Sequence, residues 1–329
     1  MSKKKVWTVL RIVISLGLLA LAVTLADIDQ VAKSLTHFNL VWLLPVFMLI
    51  LLSVLISALK WGALIKAQGI SISFGRLISY YNCGLFFNNF LPSSIGGDGI
   101  RIYLVGKEAE NTSAAASSVV MERVIATITL ALLGLISSVF VKSPSEIAVL
   151  LLAGLLLVGL LLAAVLMSGW VPKRLRKRDG KFSRGWARFA ESAKELRSKK
   201  KALGICLIES VLFQTVVAFV VGAVIAGLNQ PLPPLADLFL ITCASSVLAM
   251  VPLGINGYGM REGAYIFLLQ PYGFTASNAL TVSVLFAIAV SAYSLIGGIQ
   301  WLFINRGKKS EKNVKGDSSL SQFNDVNTL

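Results

Sequence analysis

The chain has 329 residues, 56% apolar and 14% charged, with a mean hydropathy of +0.76 and a formal net charge of +15. Soluble globular domains carry about 25% charged and about 45–50% apolar residues. A soluble enzyme, a secreted domain and a nucleic-acid-binding module are therefore excluded in favour of a polytopic membrane protein. Cys83, Cys206 and Cys243 lie far apart in apolar segments, and His37 is the single histidine, read as a loop residue. Neither a disulfide framework nor a metal site follows from them.

Residues 6–26 form the first apolar run. It is too long for a signal-peptide core and lacks a small-residue cleavage site before Asp27, so it reads as a retained span. Runs at 40–59, 115–141, 147–168, 202–228 and 276–304 each reach the roughly 17–25 residues that cross a bilayer as helix. Two stretches, 77–91 and 237–251, are shorter: about 22 Å as helix against a hydrocarbon core of about 30 Å. Both run into Pro and Gly, and each is followed by a second short arm, 100–106 and 260–270. The expected fold is an all-α integral membrane protein of six full spans plus two opposed re-entrant helical hairpins, about eight transmembrane helices in all. Residues 1–307 form the membrane domain, with halves at 1–141 and 147–304, and 308–329 form a polar, disordered tail.

Charge sets the orientation. With both termini cytoplasmic, 27 of the 31 Lys and Arg fall on that side, at the N-terminus and in 60–76, 101–107, 173–201 and 306–315. Lys33 and Lys142 lie outside, and Arg123 and Arg261 at membrane depth, in agreement with the positive-inside rule. The loop 171–201 carries 13 Lys and Arg against three acids, and Phe182, Trp186, Phe189, Ala193 and Leu196 form one apolar helical stripe in it. That pattern suits a helix lying in the membrane interface. It serves as a topology anchor, with recruitment of anionic lipid as the sharper alternative.

The two breaks repeat each other. Pro92-x-x-Ile95-x-Gly97-x-Gly99-x-Arg101 matches Pro252-x-x-Ile255-x-Gly257-x-Gly259-x-Arg261 at five positions without a gap. Broken helices in inverted repeats are a transporter architecture, so an inverted repeat is expected. At the first tip, Asn88, Asn89, Gly96, Gly97, Asp98 and Arg101 combine glycine backbone, a helix N-terminus and a guanidinium, which together suit a phosphate-bearing head group. The rival is a structural turn in which Asp98 caps a helix and pairs with Arg101. The second tip carries Gly257, Gly259, Arg261 and Glu262, with Tyr258 where the first has its acid. A self-neutralising Arg–Glu pair is the rival there.

Glu122, Arg123 and Glu209 also lie within spans, about two turns from the cytoplasmic ends. Arg123 could snorkel. Glu209 lacks a local partner and could answer Arg101 or Arg123, or accept a proton in a transport cycle. The chain has no GxSxG elbow, P-loop or HExxH, so no catalytic residue, metal or cofactor is assigned. The sequon at 111–113 falls on the cytoplasmic side and is set aside.

Asn89-x-x-Pro92-x-x-x-Gly96-Gly97-Asp98-x-x-Arg101, followed by Pro252-x-x-x-x-Gly257-x-Gly259-x-Arg261-Glu262, resembles the lysylphosphatidylglycerol synthase transmembrane-region family, the flippase-like domains of bacteria and archaea. The resemblance covers about residues 7–304. It implies a lipid-translocating domain in a bacterial inner membrane or archaeal cell membrane, with the motif residues as lipid-handling positions. In two-part members a soluble C-terminal domain transfers an amino acid from tRNA to phosphatidylglycerol. The sequence runs about 25 residues past its last span, so that activity is not expected here.

The expected cargo is an anionic phospholipid or a polyprenyl-phosphate-linked intermediate. Arg101 and Arg261 would contact phosphate, Asn88 and Asn89 would hydrogen-bond it, and Asp98 and Glu262 would orient the arginines. The alternatives are a membrane-embedded transferase acting on phosphatidylglycerol or lipid-linked sugars, and an accessory subunit of such an enzyme or of a glycosyltransferase. No nucleic-acid partner is expected.

Overall fold

The computed structural model describes residues 17, 20–22, 24–90, 96–172, 180–250, 257 and 259–325, with backbone alone for residue 181 and beyond 304. Most of the first expected span lies outside the described residues. So do Pro92 to Ile95 of the first tip, Pro252, Ile255 and Tyr258 of the second, and 173–179 of the basic loop.

All regular structure among the described residues is helical: α1 (Ile28–Thr36), a 3-10 turn (Leu40–Trp42), α2 (Leu43–Ala67), α3 (Phe74–Phe90), α4 (Gly96–Glu108), α5 (Thr112–Phe140), α6 (Glu146–Ser168), α7 (Lys181–Leu196), α8 (Lys200–Gly227), α9 (Leu235–Met250), α10 (Met260–Leu269), a second 3-10 turn (Gln270–Tyr272) and α11 (Ala276–Asp325). Five are long and apolar enough to cross a membrane: α2 with its preceding turn, α5, α6, α8 and Ala276–Ile304 of α11. They match five of the six expected spans. Their outward faces stay apolar, as at Leu150, Leu157 and Leu161 of α6 and Phe303 of α11, which suits hydrocarbon rather than water.

Side-chain caps start several of these helices. Asp27 accepts from the Asp29 and Gln30 amides, Asn111 from Ala114 and Ser145 from Ala148. Asn111 of the discarded sequon is thus a helix cap, and exposed His37 closes α1. Helical backbone continues along α11 to Asp325, through the tail expected to be disordered. Extending a helix already begun avoids the cost of a new nucleus, and the tail holds no proline to stop it.

Two helix pairs are antiparallel. Along α3 and α4, Arg76 pairs with Glu108 (2.7 Å), the Tyr80 hydroxyl donates to Glu108, and Gly84 lies against Arg101 and Gly97. Along α9 and α10, the Tyr272 hydroxyl donates to Asp237, and Gly257 sits against Ala249. The open end of the first pair follows α2, beside α7 and the N-termini of α5 and α8. The open end of the second follows the C-terminus of α8, where the Asn39 amide donates to the Gly227 carbonyl (2.8 Å). The two pairs therefore enter the bundle from opposite ends. Neither reaches far: the first tip bonds α5 at Arg123, its twelfth of 29 residues, and the second bonds α11 at Ser283, its eighth residue.

The interface helix is only partly as expected. Ala190, Ala193 and Leu196 of α7 are buried against the bundle, and Gln68 of α2 donates to the Ser192 carbonyl (2.9 Å). Phe182 points away from this contact and is exposed. The C-terminal half of the stripe thus docks on protein, because α5 and α6 offer it an apolar seat.

Candidate functional site

At the first tip, glycine brings two helices almost into backbone contact. A Cβ at Gly97 would overlap the Gly84 carbonyl and meet the Asn88 side chain at 2.6 Å. Asn88 Oδ1 accepts from the Gly97 amide (2.8 Å), satisfying one of the donors that every helix N-terminus leaves open. This register lets α4 start at Gly96, four residues before the expected arm. It also directs Arg101 back across α3 into the bundle.

Arg101 is 2% exposed, with its guanidinium 4.2 Å from the Trp61 ring and 4.6 Å from the Tyr81 ring. One Nη donates to Glu122 and the other to Asp98 (3.3 Å), while Nε has no hydrogen-bond partner. Glu122, equally buried, also pairs with Lys60 (3.1 Å), whose ammonium lies 5.2 Å from the Phe213 ring. Asp98 faces the other way as well, accepting two bonds from Arg123, from Nε at 2.9 Å and Nη2 at 2.8 Å. The result is an alternating chain, Lys60–Glu122–Arg101–Asp98–Arg123, drawn from α2, α4 and α5. Its charge is +1, and its last cation has half of its side chain exposed. A fork of two parallel bonds fixes a guanidinium in orientation while leaving its remaining donors free for an oxyanion.

The second tip closes on itself. Gly259 takes a positive φ of +85° and opens α10, and its amide donates to Glu262 (2.6 Å). Glu262 also accepts from Arg261 (3.0 Å) and the Ser283 hydroxyl (3.0 Å), and Arg261 Nε donates to Ser283 (3.1 Å). Positive φ suits glycine because it lacks a Cβ. Farther out, burial and then Asp237 push the Tyr272 hydroxyl above its ordinary range.

The sequence model of the family described as lysylphosphatidylglycerol synthase TM region matches residues 8–297. The chain belongs to this family. It is also similar to UPF0104 membrane protein PH1989 of Pyrococcus horikoshii, 28% identical over 105 residues, 32% of this chain and 31% of that protein. UPF0104 membrane protein MJ1595 of Methanocaldococcus jannaschii is 37% identical over 123 residues, 36% of each chain. The matched stretches span about a third of the length of these relatives. No solved structure matches.

Within this family member, the sequence-predicted residues fall in two groups on different helices. Asn88, Gly97, Asp98, Arg101, Glu122 and Arg123 come together, and Gly257, Gly259, Arg261 and Glu262 lie at the second tip. Gly96 opens α4, Asn89 occupies the last turn of α3, and Gly99 has open space where a Cβ would stand. Two roles change. Asn88 is a helix cap, because its carbonyl oxygen is already bonded. Arg101 is an interior cation held by Glu122 and two rings, so the guanidinium that faces outward is Arg123, forked to Asp98.

Glu122 and Glu209 lie about 15 Å into their helices, three turns rather than two, because α5 and α8 begin earlier than the apolar runs. Lys60 was expected in a cytoplasmic loop and is instead 2% exposed. Apolar residues continue past it to Ile65, which was the available sign that the helix goes on. Lys60 and Arg101 thus lie inside the bundle rather than in the basic loops expected from the sequence.

Proposed function

We propose that this protein carries a phosphate-bearing lipid, an anionic phospholipid or a polyprenyl-phosphate-linked intermediate, between the leaflets of a cell membrane. The carrying observation is Arg123: a half-exposed guanidinium far inside an apolar 29-residue helix, held in a two-bond fork by Asp98 at a Gly-rich helix start. An ionisable group at that depth is costly unless it faces a wet or protein-lined cavity, and such groups line substrate paths. Phosphate oxygens would bond the outer donors of Arg123, with the positive end of α4 beside it. The basic end of the bundle faces the cytoplasm, with both termini on that side.

The opposed hairpins are read as re-entrant, since each tip meets its neighbouring long helix well short of the far end. An inverted repeat accounts for this arrangement. Exchanging α2 with α8, α3 with α9, α4 with α10 and α5 with α11 turns each observed helix contact among them into another observed contact. Cys83 and Cys243, equivalent in that exchange, lie against Gly297 of α11 and Gly134 of α5 respectively.

A transferase reading gains little. Asp98, Glu122 and Glu262 are each bound to two or more partners, leaving none of the three as an unengaged acid or base. In vesicles carrying fluorescent phosphatidylglycerol, wild type should speed exchange between leaflets, and Arg123→Gln should abolish it while the protein stays folded. Exchange unchanged in Arg123→Gln would remove Arg123 from the path. A covalently altered lipid would restore the enzyme.

A further inference from the structure

Glu209 is the one carboxylate of this region that the charge chain leaves out. It stands on α8, tenth of 28 residues, with Oε2 buried and no hydrogen-bond partner for that atom. Lys60 of α2 lies beside this stretch of α8, its ammonium 5.2 Å from the ring of Phe213, one turn after Glu209. Among the other titratable groups on helices packed against α8, Lys66 stands in the last turn of α2, and the rest are engaged elsewhere. Asp237 of α9 accepts from Tyr272, Cys243 lies against Gly134, and Tyr293 of α11 stacks on Phe47 (5.6 Å). Arg123, the remaining charge of α5, is forked to Asp98.

We infer that Glu209 is a binding site for a coupling proton, taken up together with the anionic head group at Arg123. The inference rests on the lipid-carrier reading and adds its energetic partner. Charge arithmetic and geometry carry it. Lys60, Arg101 and Arg123 balance Asp98, Glu122 and Glu209, so the interior is neutral when all six are ionised and +1 when one carboxylate takes a proton. Glu122 is the wrong acceptor, because protonating it breaks its pairs with both Lys60 and Arg101. Asp98 would lose its bonds to two arginines. Glu209 gives up no described hydrogen bond.

The step is one proton from water adding to the carboxylate oxygen, giving a neutral acid. Lys60 keeps its pair with Glu122, and the extra unit of positive charge favours an incoming anion. A unit charge acting across one or two helix diameters, ~10–15 Å, at an effective dielectric of about 20 changes affinity about tenfold.

The test uses the full chain in detergent, with short-chain phosphatidylglycerol as probe and infrared spectra at about pH 5 and pH 8. Wild type should show a carboxylic-acid carbonyl band at the lower pH and bind the probe about tenfold more tightly there. In Glu209→Gln the band should weaken, and the probe should bind tightly at both pH values, since the amide imitates the neutral acid. Glu209→Asp should keep the wild-type band. A band of unchanged strength in Glu209→Gln, or a pH dependence of binding unchanged by it, overturns the proposal. If the probe binds neither protein at either pH, the lipid reading fails, and the band alone then decides the proton site.

Discussion

The two hairpins use the same tip motif and do opposite things with its arginine. Arg101 crosses its own hairpin, stacks between Trp61 and Tyr81 and bonds a carboxylate on the next long helix, so its charge joins a chain that ends at the outward-facing Arg123. Arg261 bonds the carboxylate beside it in sequence and a hydroxyl on α11. The positions 160 residues after Lys60 and Glu122 are Val220 and Val282, so the cation and carboxylate that extend the chain from Arg101 do not recur at that spacing. One motif therefore yields a chain of charges across three helices at the first tip and a pair of sequence neighbours bonded to one hydroxyl at the second. What decides is the next shell of residues.

The sharpest way to break this comparison is to remove the central carboxylates. Glu122→Ala leaves Lys60 and Arg101 buried without their main counter-charge, and breaking a buried pair costs about 3–5 kcal/mol. Glu262→Ala removes the acceptor shared by the Gly259 amide, the Ser283 hydroxyl and Arg261, and Arg261 keeps its bond to Ser283, so the cost should be smaller, on the order of 1–3 kcal/mol. Thermal unfolding of the two variants in the same detergent tests the order. A larger loss in Glu262→Ala would mean that the second tip, not the first, anchors the fold.

Backbone approach gives the next contrast. Gly97→Ala drives a methyl into the Gly84 carbonyl, and overpacking of this kind costs about 1–3 kcal/mol or more. Two residues on, Gly99→Ala meets nothing within 4 Å and should leave the melting temperature unchanged. Equal losses from both substitutions would show that the α3–α4 contact does not set the cost, since alanine is the better helix former at both positions.

These contrasts also mark what the sequence could and could not show. Apolar length located five long helices, and the Pro and Gly punctuation located both breaks, because backbone chemistry there is local. The charge chain was half visible: Glu122-Arg123 stood out inside an apolar run, and Asp98 was read correctly as an arginine partner. Lys60 was lost because a charge at the edge of a hydropathy window looks like a boundary, although the helix continues to Ala67. The stacking of Arg101 on Trp61 joins residues 40 apart, and the Lys60 ammonium meets the Phe213 ring across 153 residues. No local pattern encodes such meetings; only the packing of α2 against α5 and α8 creates them.

Asn88 offers the finest discrimination between the two hairpins. Its second-half counterpart, 160 residues on, is Leu248, so Asn88→Leu gives the first hairpin the residue that the second already has. The substitution removes the acceptor for the Gly97 amide at a partly buried helix start. Losing such a cap costs about 1 kcal/mol, a shift of a few degrees in melting temperature. Arg123 and its Asp98 fork are untouched, so phosphatidylglycerol binding should stay within about twofold of wild type. Binding lost with no change in melting would place the Asn88 side chain on the ligand. The tip would then work as the sequence alone suggests, with Asn88 presenting its amide to phosphate.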